Sequence, residues 1–151
     1  KTFFKNKSIE TEKREILLDD KINDNFNILK DFALIGNKQK TNKLLSETTL
    51  EVEKNIYYLN VINQRLMKLI DIIKIKRESS IETVVNNFKP PIFWKDKPNF
   101  IVQAKRWSLE KLKLIQKKTY DLEFRIKSGA NINTNTLLKA LIVDICNVAN
   151  S

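Results

Sequence analysis

The chain has 151 residues, of which 42% are hydrophobic and 30% are charged, and its formal net charge is +10. This length and composition are typical of one globular domain that buries a core without disulfides or metals. The sequence contains no His and one Cys, which excludes a Cys/His zinc cluster and a nucleophile activated by His. No apolar run is long enough to cross a membrane.

The positive charge has two explanations. It is typical of proteins that bind nucleic acid, an acidic partner or a membrane surface. The basic residues are mostly Lys, however, and Asn and Ile are also abundant. A drift of base composition toward A and T gives the same pattern without creating a binding face. The charge alone therefore does not select a function.

Residues 1–24 differ from the rest of the chain. They contain six basic and six acidic residues and show little hydrophobic pattern. We expect them to be the remnant of a preceding domain, and residues 25–151 to form a helical domain. The first residue is Lys rather than Met, which also indicates a piece of a longer protein.

From residue 25 onward, apolar residues recur at steps of three and four, which is the period of amphipathic helices. A first helix should end at Gly36, which suits a left-handed cap, and a second should cover residues 37–47. The spacing of Thr48 and Glu51 predicts a capping box that opens a third helix of about 28 residues. This helix is apolar on more than half of its circumference, so we expect it to lie at the centre of the domain.

The second half of the chain continues the helical pattern. The stretch at residues 79–82 predicts another capping box and a short helix that Pro90 stops. Pro98 falls in the first turn of the next helix, and Ser108 should cap the one after it. A last helix at residues 137–149 is apolar on most sides. The fold class predicted is all-α, a bundle of about six or seven helices.

All three prolines lie in NNFKPPIFWKDKPNF, residues 86–100, and we call residues 88–96 the aromatic connector. Consecutive prolines hold a chain extended, so Ile92, Phe93 and Trp94 should project at fixed angles. One hypothesis is that the connector seals the bundle; another is that it exposes an aromatic anchor for a partner. Stacking on single-stranded nucleic acid is a third.

Four stretches carry a resemblance to a known family. They are FKPPIFWKDKPNF, KRWSLEKL, LEFRIKSGA and LLKALIVDI, in this order along the chain. Together they resemble the C-terminal part of the delta subunit of bacterial DNA polymerase III, the clamp-loader subunit, in its alphaproteobacterial form. Upstream, FALIGNKQKTNKLLSE and NIYYLNVINQRLMKL are similar to further segments of the same family. The resemblance covers residues 16–151.

The resemblance implies that the helical domain is a collar. In the clamp loader, the collars of five subunits form a ring that holds the ATPase-like domains together. The delta subunit does not hydrolyse ATP, and it opens the sliding clamp through an N-terminal domain that is outside this chain. What is implied is a cytoplasmic accessory subunit of the polymerase holoenzyme, without catalytic site, metal, cofactor or membrane contact. Its partners would be the other clamp-loader subunits.

Two sets of residues are candidates for binding. The predicted partner contacts are Phe93, Trp94, Leu138, Leu141, Ile142 and Ile145. Residues 95–127 hold ten basic and four acidic residues, so DNA could contact this region, although a solvated surface would show the same charge. The candidates for this contact are Lys105, Arg106, Lys113 and Lys117. The alternative to a clamp-loader subunit is a freestanding basic helical domain that binds nucleic acid.

Overall fold

A computed structural model describes residue 13 and residues 24–76 and 79–151. Within these residues the chain forms seven α-helices and no β-strand, which confirms the predicted all-α bundle. The predicted remnant at residues 1–24 lies outside the described residues, apart from Lys13 and Asp24. The boundary expected after residue 24 therefore stays a prediction.

The described helices follow one another with short connections. They are α1 (helical through residues 24–35), α2 (Lys38–Glu47), α3 (Asn55–Ile75), α4 (Ile81–Asn86), α5 (Lys97–Arg106), α6 (Leu109–Lys127) and α7 (Thr134–Ala149). A short 3₁₀ turn, Val52–Lys54, leads into α3.

Local capping signals account for several helix ends. Gly36 ends α1 at a φ of 84°, and the N–H groups of Gly36 and Asn37 both donate to the Phe32 carbonyl at 3.1 Å. This is the left-handed cap that the sequence predicts. Ser108 caps α6 as predicted, and its hydroxyl accepts a hydrogen bond from the Lys111 N–H.

The two predicted capping boxes differ from the observed helix ends. Thr48 ends α2 instead of opening α3, since its N–H donates to the Leu44 carbonyl at 2.8 Å. Because the 3₁₀ turn then intervenes, α3 has 21 residues and is shorter than predicted. The cap of α4 is Ser80 rather than Ser79, the first residue of the predicted box.

The central helix is α3, as predicted, and it packs against α4, α5, α6 and α7. Its buried apolar residues are Tyr58, Leu59, Ile62, Leu66, Leu69, Ile70 and Ile72. The predicted helix would also include Val52 and Met67, and both of these apolar side chains are exposed. Val52 lies in the 3₁₀ turn, where the helical period does not apply. The buried face of α6 consists of Leu112, Ile115, Thr119 and Leu122.

The apolar face of α7 is covered by α6, α2 and α3 of the same chain. Four residues of this face were predicted to contact partner subunits, and all four are buried in the bundle core: Leu138, Leu141, Ile142 and Ile145. They cannot touch a partner while the bundle is folded in this way. The prediction is corrected on that ground.

Leu141→Ala should lower the free energy of unfolding by about 2–5 kcal/mol, because it leaves a cavity where the side chain is only 4% exposed. Leu114→Ala is the matched control, since Leu114 lies on α6 and is 48% exposed. It should cost less than about 1 kcal/mol. Urea denaturation followed by circular dichroism measures both. If both variants lowered the free energy of unfolding by the same small amount, the position of α7 in the core would be contradicted.

Candidate functional site

The aromatic connector divides its apolar residues between the core and the surface. Phe88 and Ile92 are buried, so of the three residues named in the sealing hypothesis only Ile92 is positioned to seal the bundle. Phe93 and Trp94 are 58% and 68% exposed, and their ring centroids lie 6.0 Å apart. These two residues, which we call the aromatic pair, have the exposure that an anchor for a partner requires.

The connector is not extended over its whole length, in contrast to the prediction. The Lys89–Pro90 peptide bond is cis, and the N–H of Asp96 donates to the Phe93 carbonyl at 2.9 Å. This hydrogen bond closes a turn that contains Trp94 and leads directly into α5. The aromatic pair is therefore presented by a turn that a helix fixes at its far end.

A polar cleft of about 420 Å³ opens beside the connector and is lined by residues of α1, α3 and α5. Lys30, Arg65 and Lys68 provide three cations to its wall, and Asp96 provides one carboxylate. Phe93 lines the same cleft, so the cleft and the aromatic pair are neighbours. The excess of cations gives the cleft a positive potential.

Arg65 joins three helices at the wall of this cleft. It is 7% exposed, and its Nη1 donates to Asp31 Oδ1 of α1 at 2.6 Å and to Gln103 Oε1 of α5 at 2.9 Å. Gln103 Nε2 also donates to Asp31 Oδ1, at 3.1 Å. The guanidinium carbon of Arg65 lies 4.0 Å from the centroid of the Phe100 ring. Charge pairing, hydrogen bonding and cation–π contact thus converge on one side chain.

Lys30 is the second buried cation, with 6% of its surface exposed. Its Nζ donates to Asn27 Oδ1 at 2.9 Å. Burial lowers the pKa of Lys30 from 10.5 to about 8; the Arg65 charge adds to this effect, while Asp31 and Asp96 oppose it. Lys30 therefore remains mostly protonated at neutral pH, although its charge is unfavourable for folding.

Two of the predicted DNA contacts, Lys105 and Arg106, bind elsewhere in this chain. Lys105 forms an ion pair with Glu82 of α4. Arg106 donates through Nε to the Ala149 carbonyl at 3.1 Å and through Nη2 to the Asn150 side chain. Arg106 therefore stabilises the C-terminal end of α7, where helix carbonyls lack partners.

The other two predicted DNA contacts, Lys113 and Lys117, lie one turn apart on α6. Both are exposed, and neither forms a hydrogen bond or ion pair with a described residue. Tyr120 and Phe124 are also exposed on this helix. The exposed surface of α6 thus contains both cations and aromatic side chains. DNA contact at Lys113 and Lys117 stays a prediction.

The sequence analysis missed both buried cations of the cleft. Lys30 directly follows the core residue Leu29 and lies three positions before the core residue Ala33. Arg65 directly precedes the core residue Leu66. A cation within an apolar helical stripe is the signal that could have identified them, because Lys and Arg are rarely buried without a specific polar contact.

Over residues 24–76 and 79–151 and at Lys13, no group of three or more His, Cys, Asp or Glu is placed to hold a metal ion. None of the helices in this part of the chain is long and apolar enough to span a membrane. No family model, curated protein or solved structure matches the chain.

Lys30→Met should raise the free energy of unfolding at pH 7 by about 1–3 kcal/mol, because it removes a buried charge and retains the side-chain length. Well below pH 8, Lys30 is protonated in both the folded and the unfolded state, and its charge lowers the stability by the full amount. Between pH 8 and 10.5 the unfolded chain binds more protons at this side chain, so wild-type stability should rise relative to the variant. Urea denaturation of both proteins from pH 7 to 10 tests this; a constant difference would contradict it.

Proposed function

We propose that this chain is a non-catalytic helical module that binds another protein through the aromatic pair, Phe93 and Trp94. The supporting observation is that both side chains are more than half exposed although the connector is anchored on each side of them. Buried Phe88 and Ile92 hold its first part, and α5 holds its end. A pre-ordered aromatic surface loses little conformational entropy on binding.

The surface around the aromatic pair is suited to a protein interface. Tyr57 of α3 is also exposed and lines the same cleft as Phe93, so the apolar surface extends beyond the connector. Lys95 Nζ lies 5.4 Å from the centroid of the Trp94 ring and gives the apolar surface a charged neighbour. Aromatic side chains bordered by polar groups are the usual composition of energetically dominant interface sites.

The assembly that we propose is the bacterial clamp loader, with this chain as the collar of the delta subunit. The resemblance over residues 16–151 supports this identity, and an all-helical bundle agrees with the collar that it implies. The motif FKPPIFWKDKPNF both contributes to the resemblance and contains the aromatic pair. The partners would be the collars of the other subunits, while the sliding clamp would bind the N-terminal domain of the delta subunit.

A freestanding nucleic-acid-binding domain is the alternative. The net charge of +10 and the two exposed cations Lys113 and Lys117 favour it. It requires strong binding to short DNA without partner subunits, and an affinity that falls steeply with salt. The intramolecular contacts of Lys105 and Arg106 reduce the number of cations that are free for phosphates.

Trp94→Ala combined with Phe93→Ala should weaken association with the clamp-loader subunits of the same organism by about tenfold or more. Phe124→Ala is the matched control, because Phe124 is 73% exposed on α6 and lies outside the connector. It should leave the affinity unchanged. Biolayer interferometry with the purified subunits measures binding, and circular dichroism shows that each variant is folded.

The same experiment separates the two hypotheses. If the wild-type chain does not bind those subunits and instead binds short DNA with a steep salt dependence, the assembly proposal fails. If Phe124→Ala weakens subunit binding as much as the connector variant does, the aromatic pair is not the anchor. Binding that only the connector variant loses supports the proposal.

A further inference from the structure

The cleft contains two cations that are more than nine-tenths buried, and both retain donors that no described residue uses. A guanidinium has five N–H donors, and both bonds that Arg65 makes come from Nη1. Its Nε and Nη2 donate to no described residue. The Lys30 ammonium has three N–H donors and makes one bond, to Asn27. No nitrogen of Lys30 or Arg65 is both fully buried and without a partner, so the unused donors are reached by the solvent of the cleft and are open to an acceptor.

The two carboxylates nearby, Asp31 and Asp96, offset only part of the charge of the three cations Lys30, Arg65 and Lys68. Asp31 pairs with Arg65 at 2.6 Å, which accounts for one positive charge. Asp96 lines the cleft but forms no ion pair with Lys30, Arg65 or Lys68. The cleft therefore retains positive charge that a bound anion would compensate.

We propose that this cleft is a binding site for a doubly charged oxyanion, and that a small phosphate monoester is its biological form. The phosphate oxygens would accept hydrogen bonds from Lys30 Nζ and from Nε and Nη2 of Arg65, while exposed Lys68 adds charge at the mouth. The organic part would pack on Phe93. The volume of about 420 Å³ lies within the range of small-molecule sites. Phosphates of a DNA duplex, in contrast, cannot reach cations buried to this extent.

The site is largely ordered before any ligand binds. Asp31, Gln103 and the Phe100 ring hold the guanidinium of Arg65, so its free donors keep one direction. Hydrogen bonds between charged groups are strong, and a partly enclosed cleft screens them less than bulk water does. This goes beyond the proposed protein-binding function, because it needs no partner subunit.

A bound anion also favours the protonated form of Lys30. Arg65 and Lys68 face this ammonium and lower its pKa, whereas Asp31 and Asp96 raise it, and with burial the value is about 8. Above that pH, Lys30 loses its proton and with it the charge that attracts the ligand. The affinity for an anion of constant charge should therefore fall as pH rises through 8 and change little below 7.

Sulfate is the probe, since its charge is constant between pH 6 and 9. It is titrated into the full 151-residue chain at ionic strength held constant with NaCl, and ¹H–¹⁵N NMR spectra are recorded. We expect saturable shifts in α1, α3 and the connector. Lys30→Met should weaken binding by about tenfold or more and abolish its pH dependence near 8. Lys113→Met is the matched control, since Lys113 is exposed on α6 and lies outside the cleft, and it should leave binding unchanged.

A second arm identifies the form of the ligand. Phenyl phosphate should bind more tightly than inorganic phosphate, and Phe93→Ala should remove this preference, because the ring loses its contact. Single-stranded DNA without a terminal phosphate carries only diesters and should not compete with sulfate. Competition at equal phosphate concentration would instead assign the cleft to nucleic-acid strands and overturn the small-molecule proposal.

Several results would overturn the site itself. These are shifts spread over the surface lysines, equal losses in Lys30→Met and Lys113→Met, and an affinity that does not change through pH 8. Lys30→Met removes a buried charge and should fold, which circular dichroism checks. Lys68→Gln, at the exposed mouth of the cleft, is a second variant that should weaken sulfate binding. All these measurements use the chain without partner subunits. Failure of the anion site would therefore not contradict the proposed subunit association, and failure of subunit association would not contradict the anion site.

Discussion

The ion pair between Arg65 and Asp31 is the contact on which the rest of the site depends, because it fixes α1, α3 and α5 relative to one another. A guanidinium that is 7% exposed requires a partner for its charge. Asp31 and Gln103 bind it from two other helices, and Phe100 packs against the flat face of the group. Since α5 is held in this way, the connector that precedes it is held as well.

From this junction follow the two features with functional meaning. The first is the aromatic pair, which a short turn presents to solvent at the start of α5. The second is the cleft, which is lined by the three helices that Arg65 joins and by the connector. Phe93 belongs to both, since it is exposed beside Trp94 and also lines the cleft. A partner docked on the aromatic pair would therefore lie at the mouth of the cleft, and the two binding events would be thermodynamically coupled if both occur.

Local signals predicted the fold well, and nonlocal packing explains where they failed. Gly36 and Ser108 act as caps through their own backbone and hydroxyl chemistry, which needs no information about distant residues. Leu141 was assigned to a partner interface because an apolar helix looks the same whether its own chain or another covers it. Lys30 and Arg65 could not be placed because their burial depends on partners from other parts of the structure; Asp31, for example, is 34 positions from Arg65. The exposure of Phe93 likewise depends on a turn that the proline pattern does not specify.

The most direct test is a double-mutant cycle on Arg65 and Asp31, measured by urea denaturation at pH 7. If the pair holds the three helices together, Arg65→Met and Asp31→Asn should each lower the free energy of unfolding by about 2 kcal/mol or more, since each leaves a buried group without its partner. The double variant should then lose at least about 1 kcal/mol less than the sum of the single losses. Additive losses, within about 0.5 kcal/mol, would show that the pair does not act as a unit and would contradict its central position in the structure.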